Sequence, residues 1–235
     1  MNNQIDILAI GAHPDDVELS CAGTILKHIS EGNKVGIIDL TRGELGTRGS
    51  AEIRDKESAH AAQILGVEFR HNMNFRDGFF QNDEMHQLEL VKIIREYRPK
   101  IILCNAVSDR HPDHAKGSSL VSDACFLSGL TKIDTGQDAW RPKHVYHYIQ
   151  FHEITPDFVV DISDFMDKKM ESVLAYKSQF YNPDSAEPKT IISSQDFLES
   201  IKYRASNLGR LSSCKYAEGF TTEKIISVTS LNHLI

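Results

Sequence analysis

The chain has no Cys-x-x-Cys pair, no Gly-x-Gly-x-x-Gly fingerprint, no cluster of lysine and arginine, and no apolar run approaching the length of a membrane span. Each absence excludes something. The four cysteines, Cys21, Cys104, Cys125 and Cys214, are scattered. The first three sit in apolar stretches and read as small buried hydrophobes rather than as disulfide partners. Without a basic cluster, and with a net charge of −7, the chain lacks the electrostatic footprint of a nucleic-acid binder. Without a long apolar run it has no spanning helix. The start, Met1-Asn2-Asn3-Gln4, has neither the basic residues nor the apolar core of a signal peptide, so a cytoplasmic protein is expected. No internal repeat, low-complexity tract or Pro/Ser-rich linker divides the sequence.

What is present is ordinary in amount and ordered in arrangement. At 235 residues, a chain buries roughly seven-tenths of its unfolded surface and folds without disulfides or a structural metal. Any metal must therefore be argued from chemistry. Short apolar runs alternate with segments of helical periodicity through the first 130 residues. Strands are expected at Ile5 to Gly11, Lys34 to Thr41, Val67 to His71 and Lys100 to Asn105. Helices are expected at Val17 to Glu31, Ala51 to Leu65, Glu84 to Tyr97 and His114 to Leu130, with Gly32 and Gly66 as stops.

That order implies a Rossmann-like α/β fold, a mostly parallel sheet flanked by helices, with a smaller, irregular α/β portion at the C-terminal end. Ligands of such sheets bind outside the carboxyl ends of the strands. The expected organisation is one domain over residues 1–235, with a core over 1–130 and a pocket-completing portion over 131–235. In that portion strands are expected at His144 to Phe151, Phe158 to Ile162 and near Ile225 to Val228. Ser163 caps a helix running to about Ser178, a mobile loop covers Tyr181 to Lys189, and a helix lies near Gln195 to Leu211.

The first strand ends in Gly11-Ala12-His13-Pro14-Asp15-Asp16. Adjacent carboxylates at a strand's carboxyl edge repel each other and any phosphate, and a cation relieves both problems. His13 and Asp16 are placed to coordinate one metal ion, while Asp15 projects elsewhere. The fourth strand leads to Ser108-Asp109-Arg110-His111-Pro112-Asp113-His114. Strands one and four can be neighbours in a doubly wound sheet, which would make His114 a third ligand. Two imidazoles and a carboxylate leave a position open for water, as catalytic zinc requires; the same set fits non-haem ferrous iron. Taken singly the residues have plainer roles: Asp16 as a helix cap, Asp113 as a charge favouring a helix N-terminus, and Arg54 as a solvated ion pair.

The two motifs in this order resemble those of the PIG-L/LmbE-like N-acetylglucosaminyl deacetylases. Thr41-Arg42-Gly43-Glu44-Leu45-Gly46, the helix start containing Arg54, and Tyr216-Ala217-Glu218-Gly219-Phe220 are also similar to that family. In length and in this tail the chain is most similar to the bacillithiol-pathway deacetylases, which act on N-acetylglucosaminyl-malate. The resemblance implies a zinc-dependent N-deacetylase forming a trimer or hexamer. Within it, His13, Asp16 and His114 match the metal ligands and Asp15 the general base. His111 matches the group stabilising the tetrahedral intermediate, and Asp113 the carboxylate orienting it as an imidazolium. Arg54 matches a substrate-binding arginine, which suits a carboxylate such as malate's. Arg42, Arg48 and Arg110 are further candidates.

The alternatives are deacetylation of N-acetylglucosamine oligomers, amide hydrolysis of thiol conjugates, a non-haem iron oxygenase, and a binding module without catalysis. One departure from the family pattern is Phe197, where some relatives place a tyrosine able to reach the oxyanion; Tyr203 or Tyr181 would have to substitute. His71, Asp77, His144, His147 and His152 receive no role. Phe79 and Phe80 are expected in the core or at the pocket rim.

Overall fold

A computed structural model describes residues 4–234; Met1, Asn2 and Asn3 of the polar start, and Ile235, lie outside the described residues. Seven strands form one sheet: β1 (Ile7–Gly11), β2 (Val35–Thr41), β3 (Phe69–Phe75), β4 (Ile101–Cys104), β5 (His144–Tyr148), β6 (Phe158–Asp161) and β7 (Ala217–Thr222). Their order is β3-β2-β1-β4-β5-β7-β6. Strands β1 to β5 run parallel, and β7 is inserted antiparallel between β5 and β6. The chain reverses its direction of winding between β1 and β4, so the crevice of this sheet opens at their carboxyl ends.

The first strand shows why the sheet is covered on both sides. Its residues alternate between faces. Leu8 and Ile10 pack with Leu90, Val91 and Ile94 of α3 (Glu84–Tyr97) and with Leu120, Val121 and Ala124 of α4 (Pro112–Ser128). Ile7 and Ala9 pack on the other face with Val17, Cys21, Ala22 and Ile25 of α1 (Asp16–Ser30). Helix α2 (Ala51–Leu65) and α5 (Met166–Leu174) lie beside α1, and α6 (Gln195–Leu211) packs against β7. The helix ends are chemically explicit. Gly66 closes α2 in the left-handed region at φ 76°, and Asp83 caps α3 by accepting from His86 N. No described helix is long and apolar enough to cross a membrane.

The helices of the first half match expectation closely; β3 and the last strand do not, β5 stops at Tyr148 rather than Phe151, and α5 (Met166–Leu174) has Phe165 rather than Ser163 at its N-cap. β3 extends to Phe75, four residues beyond the expected end, because its residues are only half buried and carry polar side chains. The last strand is not at 225–228. Ile225 is 97 % exposed there, and the strand is instead β7. The sequence Ala217-Glu218-Gly219-Phe220 hides it, since its central residue is a buried glutamate.

That glutamate is a clamp. Glu218 Oε1 accepts from Lys169 Nζ at 2.5 Å and from Gly23 N at 3.0 Å. Its Oε2 accepts from the backbone and hydroxyl of Thr24, both at 2.7 Å. Every lone pair facing the protein is thus used, and the strand is tied to α1 and α5. Breaking a buried pair from one side strands the other charge, at a cost of about 3–5 kcal/mol. Glu218→Ala should therefore lower the unfolding free energy by about that amount in a urea titration; a change below about 1 kcal/mol would mean the clamp contributes little.

Candidate metal centre

The carboxyl ends of β1 and β4 bring the two His-Pro-Asp motifs together. His13 Nδ1 lies 3.6 Å from Asp16 Oδ2, and His114 Nε2 lies 3.1 Å from Asp16 Oδ1. Ring nitrogens of His13, His111 and His114 also fall within 4.8 Å of one another. The cluster forms one wall of a cleft of about 670 Å³. That cleft takes Leu45 to Arg48 from the β2–α2 loop, Gln150 and Phe151 from beyond β5, and Phe197, Ile201 and Arg204 from α6. The C-terminal portion thus supplies the far wall.

Asp15 and Asp16 are neighbours in sequence with different surroundings. Asp16 begins α1 and accepts from His13 N at 3.0 Å, Asn105 Nδ2 at 3.0 Å and Gln150 Nε2 at 2.9 Å. Burial disfavours its charge, but His114 and His13 outweigh that and hold its carboxyl well below the usual range. Asp15 has φ 113°, a left-handed backbone uncommon for a non-glycine residue. This turns its side chain away from Asp16 and toward Arg54, whose Nη2 donates to Asp15 Oδ2 at 3.0 Å. Burial raises Asp15 to about 7; Arg54 opposes the rise and Asp16 adds to it.

Each imidazole has a carboxylate on its far side. His13 Nε2 lies 3.1 Å from Asp77 Oδ1 and 3.4 Å from Asp113 Oδ2. His114 Nδ1 lies 2.5 Å from Asp109 Oδ2. Burial disfavours charge on both rings, yet these carboxylates and Asp16 raise His114 to about 9 and His13 well above its ordinary value. The field here favours positive charge at a point where two imidazoles and a carboxylate converge. His13, Asp16 and His114 therefore fit a divalent cation in both donor chemistry and electrostatics.

Three expected roles change, those of Asp113, His111 and Arg54. Asp113 does not orient His111: its carboxylate faces His13 and accepts from Lys116 Nζ at 2.9 Å and Gly78 N at 2.8 Å. His111 is instead the N-cap of α4, its Nδ1 accepting from Asp113 N at 3.3 Å. An acceptor at Nδ1 leaves the proton on Nε2. Burial, with His13 and His114 nearby, lowers His111 to about 4.

Arg54 lies at the cleft but its fork is turned inward. Besides Asp15, Nη2 donates to Pro14 O and Nη1 to Gly43 O at 3.3 Å. Gly43 is required here, because it has φ 63° and a Cβ would fall 1.9 Å from Arg54 Nη1. Among the arginines lining the cleft, Arg48 pairs with Glu187 and Arg54 with Asp15, and Arg204 is spent on the backbone carbonyls of Gln150 and Leu19; Arg110 has no ion pair among the described residues, and its guanidinium lies 5.1 Å from the centroid of Phe151. Phe197 lines the cleft in a stack with Phe180, centroids 6.0 Å apart. Tyr203 and Tyr181 do not line it, so neither replaces the missing phenol.

Of the residues without an assigned role, His147 is structural. Its Nδ1 lies 3.0 Å from Asn105 O and its Nε2 3.2 Å from Glu223 Oε1. Phe80 is buried and Phe79 exposed. Asn105, Gln150, Asp77 and Asp109 are the participants to which pattern reading gave no role. Asp77 had a signal: like Asp16 and Asp109 it follows the carboxyl end of a strand, once β3 is given its full length.

Residues 8–125 match a protein-family model described as GlcNAc-PI de-N-acetylase, PIG-L. The chain is 30 % identical over 231 residues to a diacetylchitobiose deacetylase of Thermococcus kodakarensis, covering 93 % of this chain and 83 % of that one. It is also 30 % identical over 200 residues to a probable N-acetyl-alpha-D-glucosaminyl L-malate deacetylase 2 of Bacillus anthracis, covering 77 % and 84 %. Among solved structures, a conserved protein of Thermus thermophilus superposes with a TM-score of 0.87 at 36 % identity, covering 96 % of this chain and 98 % of that one.

Proposed function

The chain belongs to the PIG-L family of GlcNAc-PI de-N-acetylases, and from that premise we propose that it is a zinc-dependent hydrolase removing the acetyl group from an N-acetylglucosamine conjugate, with an acidic aglycone such as malate. The observation that carries the reading is the division of labour between Asp15 and Asp16. One carboxylate is locked among the imidazoles, and its neighbour is kept apart by a left-handed backbone and Arg54.

His13, Asp16 and His114 would hold the ion. When bound, the metal polarises the amide carbonyl and acidifies water. The chain's own groups do the rest. Asp15, buried and raised to about 7, takes the proton of the attacking water and delivers it to the nitrogen as the C–N bond breaks. Acetate and a free amine result. His111, neutral, donates Nε2–H to the oxygen on which negative charge develops. Arg54 holds Asp15 at its angle and so serves every substrate alike.

The acidic aglycone rests on Arg110. A guanidinium with no ion pair among the described residues, set over the exposed Phe151 ring at the cleft, suits an anionic group. Arg110→Ala should raise KM for N-acetylglucosaminyl-malate by about 10–150-fold, a hydrogen-bonded charge being worth about 1.5–3 kcal/mol, and leave diacetylchitobiose unaffected. Equal effects on both would remove the acidic-aglycone reading. Faster wild-type turnover of diacetylchitobiose than of the malate conjugate would favour the oligomer reading.

A further inference from the structure

We infer that Asp77 and Asp109 are positioning residues that fasten the two metal-site histidines to opposite walls of the substrate cleft. The inference rests on the metal-dependent reading above.

The two carboxylates are built alike. Asp77 spends Oδ1 on His13 Nε2 at 3.1 Å, while its Oδ2 accepts from Leu45 N at 3.0 Å. Asp109 spends Oδ2 on His114 Nδ1 at 2.5 Å, while its Oδ1 accepts from Phe151 N at 3.1 Å and His152 N at 2.8 Å. In both, one oxygen fixes an imidazole and the other fixes backbone of the cleft lining. Leu45 and Phe151 present exposed apolar side chains to that cleft, on the β2–α2 loop and on the segment beyond β5.

A further bond extends the first arm, Asp77 N donating to Glu44 Oε1 at 2.8 Å. The β2–α2 loop is therefore joined to His13 through one side chain. The second arm ends at the aromatic that faces Arg110. A substrate pressing on either wall bears on the same carboxylate that sets the angle of a metal ligand. A carboxylate behind a ligating histidine fixes its tautomer and raises its basicity, and removing one costs typically 10–100-fold in metal affinity or activity.

The test uses Asp77→Asn and Asp109→Asn in the full chain, since the amide keeps the shape and an acceptor for the backbone N–H but loses the charge. Zinc affinity is measured by competition with a chromophoric chelator, and the metal-free proteins are melted in parallel. The expected result is zinc binding weakened about 10–100-fold in each variant, with metal-free melting temperatures close to wild type. The visible spectrum of the cobalt-loaded variants should also shift. Zinc affinity within twofold of wild type in both folded variants would overturn the inference. So would a loss of affinity matched by collapse of the metal-free melting temperature in both, which would mark the residues as merely structural. Absence of deacetylation by the wild-type protein would overturn the functional reading instead, leaving the zinc measurement to decide this one.

Discussion

Asp15→Asn should lower kcat by about 10²–10⁴-fold, the range that general acid–base catalysis contributes, while the protein keeps its metal. The substitution is unusually clean. Asparagine tolerates the left-handed backbone at φ 113°, and its carbonyl oxygen still accepts from Arg54 Nη2. No hydrogen bond or ion pair joins Asp15 to His114 among the described residues, and the donors that hold Asp16 are His13 N, Asn105 and Gln150. Steady-state kinetics on an N-acetylglucosaminyl conjugate, with metal content measured on the same sample, checks the result. Near-wild-type turnover would remove Asp15 as the base. It would also reopen the oxygenase reading, in which this residue has no part.

Chelation should abolish hydrolysis and leave the fold intact, and added zinc should restore the rate. The reason lies in where the donors sit. His13, Asp16 and His114 stand at the carboxyl ends of β1 and β4, whereas the apolar clusters on the two faces of the sheet are complete without them. Between them, the two imidazoles already lie within hydrogen-bonding or ion-pair distance of Asp16, Asp77, Asp109 and Asp113, so these buried groups keep partners within the protein itself. Far-ultraviolet circular dichroism should be unchanged. The melting temperature should rise on adding zinc, since a ligand at 100 times its Kd stabilises by about 2.7 kcal/mol. Ferrous iron restoring activity better than zinc would reassign the metal. Full activity after chelation, with metal shown to be absent, would contradict the site.

The sequence was informative where local chemistry and packing agree. Helix α3 is bounded by Asp83 as cap and Arg98-Pro99 beyond, and its apolar positions Leu90, Val91 and Ile94 recur at helical spacing, so both ends are readable. The metal donors are readable for a related reason. Strand-end loops in a parallel sheet converge on one crevice, and carboxylates crowded there with imidazoles suit a cation. Reading failed where a side chain's partner is remote. Glu218 is satisfied by Lys169 and Thr24, and nothing near it in sequence says that it is buried in a strand.

The same limit explains the reassigned roles. Spacing places Asp113 two residues from His111, but helix geometry sends the carboxylate to His13 and gives His111 the backbone N–H. Arg54 lines the cleft, and only the fold reveals that its carboxylate partner, Asp15, is internal. Gln150 and Asn105 reach Asp16 from just beyond β5 and β4, across the switch in strand order. A neutral amide carries no signal of that kind.

The measurement that bears most directly on the account is the release of acetate and free amine by the zinc-loaded chain, followed together. N-acetylglucosaminyl-malate, N-acetylglucosamine and diacetylchitobiose are the substrates. The account predicts that the malate conjugate yields acetate and amine in equal amounts, fastest of the three, and that Asp15→Asn suppresses both products together. Intact zinc-loaded protein that releases acetate from none of the three, or acetate release that Asp15→Asn does not diminish, would contradict it.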